Sequence, residues 1–197
     1  MNKNVVEGFK NEKDLKIFEN RLEEINKTCY LVWKVGVNLA LRVSDVLKIT
    51  VEEAKKYIIT GNYQSKDKKT GKDNLVKINE NTILAFKQAL ELRASAKVSV
   101  DNPFLFVGEG NRTSNSISPI SRQAVDKYFK KAVDDENLNI HIGTHTMRKT
   151  WGSLAHTKGY KIELIMKRLN HSSQDTTLLY LGITNEDINN IVAEMNI

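Results

Sequence analysis

The sequence predicts an α+β fold that is mainly α-helical, with one small antiparallel β-hairpin on one side. Three observations carry this. Prolines stand only at positions 103 and 119 of the 197 residues, so long stretches contain nothing that breaks a helix. Apolar residues recur at helical spacing in most segments. Between Ile58 and Ile78 the periodicity changes to a loose alternation with Thr70-Gly71 at its centre, the pattern of a hairpin.

Taken in order, Asn11–Asn26 places Leu15, Phe18, Leu22 and Ile25 on one face, as an amphipathic helix requires. Thr28–Leu41 is nearly all apolar and reads as a buried helix; Cys29 and Trp33 lie in it as packing residues. A short helix is expected over Ser44–Ile49, with the Ser44 hydroxyl capping its start. The hairpin follows, with its lysines near the turn. Asn81–Ala94 returns to helical spacing through Ile83, Leu84, Phe86 and Leu90, and the short apolar run Pro103–Val107 leads into a polar loop, Gly108–Ser118. Helices are then expected over Ser121–Asp134 and from His145 to about Thr157, the latter stopped by Lys158-Gly159. Lys161–Leu169 and Ser173–Leu181 form two more, joined by Asn170–Ser172. Thr184 can cap a last helix, Asn185–Met195, with Ile188, Ile191, Val192 and Met195 on one stripe.

Length and composition narrow the function classes. A chain of 197 residues is expected to form one domain, 1–197, around one full core. The best membrane candidate, Tyr30–Leu41, is too short and is interrupted by Lys34 and Asn38. The N-terminus lacks the core of a signal peptide, so the expected location is cytoplasmic. Cys29 is the only cysteine, which excludes an internal disulfide and a thiol-rich metal site. The net charge is +6, and cations cluster at Lys66, Lys68, Lys69, Lys72 and Lys77, then at Arg122, Lys127, Lys130, Lys131, Lys167 and Arg168. Such clustering suits a phosphate-facing side, although a solvated surface would look the same.

Four local patterns stand in sequence: Ala40-Leu41-Arg42-Val43-Ser44-Asp45; Lys68-Lys69-Thr70-Gly71-Lys72; His145-Thr146-Met147-Arg148-Lys149-Thr150; and Leu169-Asn170-His171-Ser172-Ser173 with Tyr180 nine residues after His171. Each alone is cheap to find by chance. Together, in this order, they resemble the phage integrase, or tyrosine recombinase, family over roughly Asp14 to Ile197. Arg-x-Ser-Asp is similar to that family's first arginine box, His-x-Met-Arg-Lys-Thr to its second, and Leu-Asn-His-Ser-Ser with the following tyrosine to its third.

The resemblance implies the helical catalytic domain of a site-specific DNA recombinase, cleaving and rejoining strands without a metal or any other cofactor through a 3′-phosphotyrosyl intermediate on Tyr180. Arg42 and Arg148 would clamp the scissile phosphate, since two guanidiniums can grip non-bridging oxygens with fixed forks of donors. His145 and Arg148, three apart on a helix, share a face. The family gives His145 acid or base work, His171 a hydrogen bond to the phosphate, and a hairpin lysine the protonation of the leaving 5′-oxygen; Lys69 is the choice here, with Lys68 and Lys72 as alternatives. Lys66, Lys68, Lys72, Arg122, Lys127 and Lys149 would contact DNA. The partners implied are double-stranded DNA carrying a specific site and further copies of the chain, assembled through the C-terminal helix at 184–197. Too few residues precede the match for the N-terminal DNA-clamping domain common in the family, so the expectation is either a minimal recombinase or one whose clamping half a partner or a deleted segment supplies.

Blander readings attach to the same residues. Arg42 could pair with Asp45, Tyr180 could be an ordinary core tyrosine, and His156 and Trp151 read as packing residues. His141 and His145 are four apart, but no acidic third ligand makes them a zinc pair. Asn170 stands where the family usually has glycine and Lys149 where it often has a second histidine; asparagine tolerates the left-handed turn. Competing functions are a DNA-binding relative without catalysis, a type IB topoisomerase and a metal-dependent nuclease.

Overall fold

The computed structural model describes residues 6–66, 73–108, 117–143, 145–183 and 185–195, with the side chains of 65, 66, 73, 74 and 185–188 outside that description. Ten helices and a two-stranded antiparallel sheet are defined among these residues. Helix α1, Glu12–Ile25, starts where Asn11 accepts the Asp14 N–H at 2.8 Å. Asn26 both ends α1 and caps α2, Lys27–Asn38, by accepting the Cys29 N–H at 2.8 Å. The two helices therefore turn sharply on one residue and pack together.

Three differences from the sequence expectation follow. Helix α2 stops at Asn38, three residues early, because Ala40 adopts a left-handed φ of 49° and the Leu41 N–H returns to the Gly36 carbonyl at 2.9 Å. The next helix, α3, is only Val43–Val46, with Arg42 rather than Ser44 at its N-cap and no side-chain cap bond. A further helix, α4 at Val51–Thr60, occupies a stretch whose end reads as strand in the sequence. Thr50 and Glu53 form a reciprocal capping box at its start, and Gly61 closes it at φ 66°.

The hairpin pairs β1, Asn62–Lys66, with β2, Asp73–Lys77, in the register Tyr63↔Val76. Beyond it lie α5, Glu80–Ser95, and α6, Arg122–Asp135. The C-terminal part is α7, Thr146–Thr157; α8, Ile162–Leu169; α9, Gln174–Leu181; and α10, Asn185–Glu194. The polar loop expected at Gly108–Ser118 falls mostly outside the described residues, as does the expected cap, Thr184.

Two apolar clusters hold this arrangement. The larger centres on Trp33, fully buried, whose ring lies 4.6 Å from Phe18, 5.4 Å from Phe129 and 5.8 Å from Phe9 in edge-on contacts. Its indole N–H donates to Glu19 at 3.0 Å, and Lys34 pairs with the same carboxylate, so this nearly buried acid is fully satisfied. Cys29 is buried here too. The smaller cluster joins Ala40, Ala155, Ile165, Leu169 and Leu181, with Trp151 and Tyr180 packed on it. Two glycines set the spacing of α7. A Cβ at Gly36 would run into the Met147 thioether, and one at Gly152 would lie 2.8 Å from Leu181. Helix α7 is thus pressed against both α2 and α9. His156, expected to pack, is exposed on α7.

Candidate active site

Helix endings deliver two of the candidate residues. Arg42 comes two residues after the left-handed Ala40. His171 directly follows Asn170, at φ 49° and ψ 46°, with the His171 N–H returning to Met166 at 3.1 Å. Such a 6→1 bond turns the chain sharply off the helix axis, so the residue after it points back across the helix end.

Arg148 ties these endings together. It is buried to 5% exposure, yet among the described residues no carboxylate lies within ion-pair distance of it. Instead its guanidinium donates to the Ala40 carbonyl at 3.2 Å and to the Leu169 carbonyl, the residues that precede Arg42 and His171. Arg168 does the same to the Leu39 carbonyl. Burial and the neighbouring Arg42 hold the Arg148 pKa below its ordinary value, the opposite of what an ion pair would do. Arg42 itself is exposed and has no ion pair with Asp45.

Tyr180, on α9, rests against the smaller cluster with its ring 4.8 Å from the His171 ring at 74°. Its hydroxyl is buried and has no hydrogen-bond partner among the described residues. Burial raises its pKa while Arg148 and Arg42 draw it down, so Arg148 is close without being aligned for a hydrogen bond. Lys149 places its ammonium 4.9 Å from the centre of the same ring.

The two histidines are held in the uncharged form. Burial lowers the His171 pKa first, then Arg148 and Arg42. For His145 the causes are burial, Arg42, Arg148, Arg122 and Lys149. His145 sits at the N-cap of α7 with no side-chain cap bond, and the Thr146 hydroxyl beside it accepts the Gly143 N–H at 2.9 Å, which fixes the turn that enters the helix. Thr177, fully buried, gives its proton to the Ser173 carbonyl at 3.2 Å and so accepts from His171 Nδ1 at 3.1 Å. That fixes the tautomer and leaves His171 Nε2 free for a ligand.

The structure therefore brings Arg42, His145, Arg148, His171 and Tyr180 into one positively charged cluster, with Lys149 and Arg122 near His145. Lys127 is exposed on α6, in a groove with Lys130, Asp126 and Asp134. Lys68, Lys69 and Lys72 lie outside the described residues, and Lys66 ends β1 with its side chain likewise outside.

The sequence profile of the Phage integrase family matches residues 10–186, which includes all of these groups. The chain belongs to the phage integrase family. It is 27% identical over 179 residues to the "Probable integrase/recombinase YoeC" of Bacillus subtilis (strain 168), covering 91% of each chain. Against several longer relatives the match spans only 23% to 55% of their length. Among solved structures, XerA recombinase superposes with a TM-score of 0.71 over 98% of this chain and 67% of that one, at 18% identity. The XerH site-specific recombinase, bound to palindromic difH substrate in a post-cleavage complex, gives 0.67 over 96% and 54%, at 17% identity. These likenesses establish the tyrosine recombinase fold.

The phage integrase match ends within α10, whose Ile191 and Val192 are more than half exposed, as is Met195 just beyond it. Sequence reading missed Thr177 and Arg168 as parts of the site. A threonine within a helix gives no signal of what its hydroxyl faces, and Arg168 was indistinguishable from the surface cations around it. Among the described residues, no three His, Cys, Asp or Glu side chains group as a metal site would need, and no helix is long and apolar enough to cross a membrane.

Proposed function

We propose that the chain cleaves and rejoins double-stranded DNA at a specific site, with Tyr180 as the nucleophile and no metal ion in the reaction. The observation that carries this reading is the buried, partnerless Tyr180 hydroxyl lying within the field of two arginines that have no carboxylate of their own. A cluster with that excess of positive charge suits one thing, the phosphoryl group of a backbone.

In this reading the Tyr180 oxygen attacks phosphorus in line. The bond to the 5′-oxygen breaks, a 3′-phosphotyrosine forms, and the 5′-oxygen takes a proton. Arg42 and Arg148 neutralise charge on the non-bridging oxygens, the task a divalent cation performs in other phosphoryl-transfer sites. His145 moves the phenol proton. His171 Nε2 faces the phosphate, whose charge offsets the two arginines and favours the imidazolium that can donate to it. Lys69, outside the described residues, supplies the leaving-group proton, with Lys68 and Lys72 as its alternatives. Because the phosphotyrosine bond keeps the energy of the broken one, a second 5′-hydroxyl reverses or redirects the cut.

The DNA-bound XerH relative and the family membership support double-stranded DNA as partner. Lys66, Lys68, Lys72, Arg122 and Lys127 would contact its phosphates, 1–197 acts as the catalytic unit, and α10 docks on a second copy when the chains assemble on paired sites. The exposed apolar side chains of α10 are consistent with that.

The deciding assay offers nicked duplex DNA, taken from the ends of the element that encodes the chain, in EDTA. A denaturation-resistant protein–DNA adduct is expected with the wild type and none with Tyr180→Phe. An adduct that survives this substitution, or a wild type that forms one only with added divalent metal, overturns the mechanism.

A further inference from the structure

We propose that Lys149 is a positioning residue for the nucleophile, its ammonium over the Tyr180 ring holding that ring in the inward orientation from which it attacks. The proposal rests on Tyr180 being the nucleophile and adds what keeps it in place. No well-aligned hydrogen bond anchors this tyrosine among the described residues, although the Arg148 guanidinium stands close to its hydroxyl. Its helix, α9, is only eight residues long; it buries Thr177 and Leu181 and is tied to α8 by one exposed bond, from Gln174 to Glu163 at 3.0 Å, at the end of α9 away from Tyr180. A short helix so attached needs a further restraint if its tyrosine is to stay inside rather than swing outward.

Lys149 supplies one. It follows Arg148 on α7 and is partly buried, with Nζ 4.9 Å from the Tyr180 ring centre. Among the described residues, no carboxylate lies within ion-pair distance of it. A cation withdrawn from water without an ion pair is costly unless something else compensates, and the electron-rich face of an aromatic ring does so. The charged and titratable groups around it are Glu7 from the segment before α1, His145 from the start of the same helix, and Tyr180 from α9. Burial pushes the Lys149 pKa down and Glu7 opposes it.

The chemistry of the contact also favours attack. As the phenol loses its proton, electron density on the ring rises and its attraction for the ammonium strengthens, so the restraint tightens along the reaction coordinate. The interaction does not require a hydrogen bond to the hydroxyl, which stays available to phosphorus and to His145. Arginine at this position keeps the charge and stacks on the ring, whereas methionine keeps only the length.

The test uses the full chain with Lys149→Met, Lys149→Gln and Lys149→Arg, and two readouts. The first is the single-turnover rate of adduct formation at saturating DNA, set beside the DNA dissociation constant and its salt dependence. The second is the fluorine NMR line of Tyr180 in protein labelled with 3-fluorotyrosine, identified by its loss in Tyr180→Phe. Lys149→Met and Lys149→Gln are expected to slow adduct formation by about tenfold with DNA affinity within about twofold of wild type, a loss in the range of a desolvated cation–π contact. They should also move the Tyr180 line toward the solvent-exposed position, and Lys149→Arg should restore both. Weaker DNA binding with a salt slope reduced by about one and an unchanged saturated rate would make Lys149 a plain phosphate contact. An unmoved fluorine line in both uncharged variants overturns the proposal even if the wild type forms no adduct, a result that would by itself sink only the nucleophile reading.

Discussion

The His171 ring meets the Tyr180 ring edge-on, 4.8 Å between centres and 74° between planes, and neither the hydroxyl of one nor the Nε2 of the other has a hydrogen-bond partner among the described residues. In the free protein this arrangement is a cost, because a buried hydroxyl without a partner loses its hydration for nothing.

Tyr180→Phe therefore has two expected effects of opposite value. It abolishes the covalent adduct, and it stabilises the free protein by about 1 kcal/mol by removing the unsatisfied group. For a chain of this size that corresponds to a melting temperature higher by roughly 2–4 °C. A thermal unfolding curve of the variant without DNA is the measurement, and a lower melting temperature would show that the hydroxyl has a partner after all.

Arg148 carries structural and chemical duties at once. Arg148→Ala leaves the carbonyls of Ala40 and Leu169 unpaired in a buried setting, so the expected loss is about 3 kcal/mol, two charge-assisted bonds to neutral acceptors less the relief of removing a buried charge. Arg148→Lys keeps the charge but one ammonium cannot bridge two carbonyls on different helix ends. It should retain roughly half of that stability and still fail to form the adduct. Chemical denaturation with the slope compared across variants checks this, since a changed slope would signal that the folded state itself has loosened.

Much of this site was legible because it is local. Arg148 lies in the first turn of α7, and Arg42, His145 and His171 stand at the ends of helices whose apolar faces are plain, so the motif and the periodicity agree on where each falls. What stayed hidden depended on contacts distant in sequence. Alanine rarely accepts a left-handed backbone, and nothing near Ala40 announces one; its φ of 49° is sustained by a carbonyl held from Arg148, more than a hundred residues on. Helix α4 had its signals, the Thr50/Glu53 box and Gly61, but Ile58-Ile59-Thr60 at its end has the β-branched look of a strand, and propensity yielded to the cap. The antiparallel hairpin is present as the alternation predicts, although its first strand begins at Asn62, four residues later than Ile58; the expected turn at Thr70-Gly71 lies outside the described residues.

Asn170 offers a test of backbone strain isolated from packing, because the residue is exposed and left-handed at φ 49°. Asn170→Ala should cost about 1 kcal/mol, since alanine lacks the local hydrogen bonding that lets asparagine occupy this region, while Asn170→Gly should gain about 0.5 kcal/mol. Neither side chain touches the cluster, so once the protein is folded the adduct rate should be the same in both. Equal stability of the alanine and glycine variants would mean that the turn before His171 is not held in the left-handed form.

The histidines give stability a defined dependence on pH. Both His145 and His171 titrate below the ordinary value of about 6.5, chiefly through burial and then through the arginines. The unfolded chain therefore binds protons that the folded one refuses. Stability is complete above about pH 6.5 and declines as pH falls from there through the folded pKa values, the direction expected whenever the unfolded state holds more protons. Melting temperatures between about pH 7.5 and 5.5 should fall, and the fall should be shallower in His171→Gln. An anion such as inorganic phosphate, bound between the arginines, raises both histidines and should flatten the same curve.

Thr177 decides which nitrogen of His171 faces the substrate. Its hydroxyl proton is committed to the Ser173 carbonyl, so its oxygen can only accept, and His171 Nδ1 must carry the hydrogen. Valine matches threonine in shape and in its tolerance of the helix, but it accepts nothing. Thr177→Val should thus leave the ring free to rotate and remove the acceptor that holds a hydrogen on Nδ1, which disfavours the imidazolium from which Nε2 donates to the phosphate. The expected consequence is a slower adduct rate at saturating DNA by about ten- to a hundredfold, the scale seen when a reacting group is misplaced rather than lost. Thr177→Ser, which keeps the acceptor and omits only the methyl group, should recover most of the rate. Nitrogen chemical shifts of the imidazole would report the tautomer directly. If they are unchanged in Thr177→Val while the rate falls, the threonine acts through packing alone, and His171 is oriented by the left-handed turn at Asn170 rather than by its hydrogen bond.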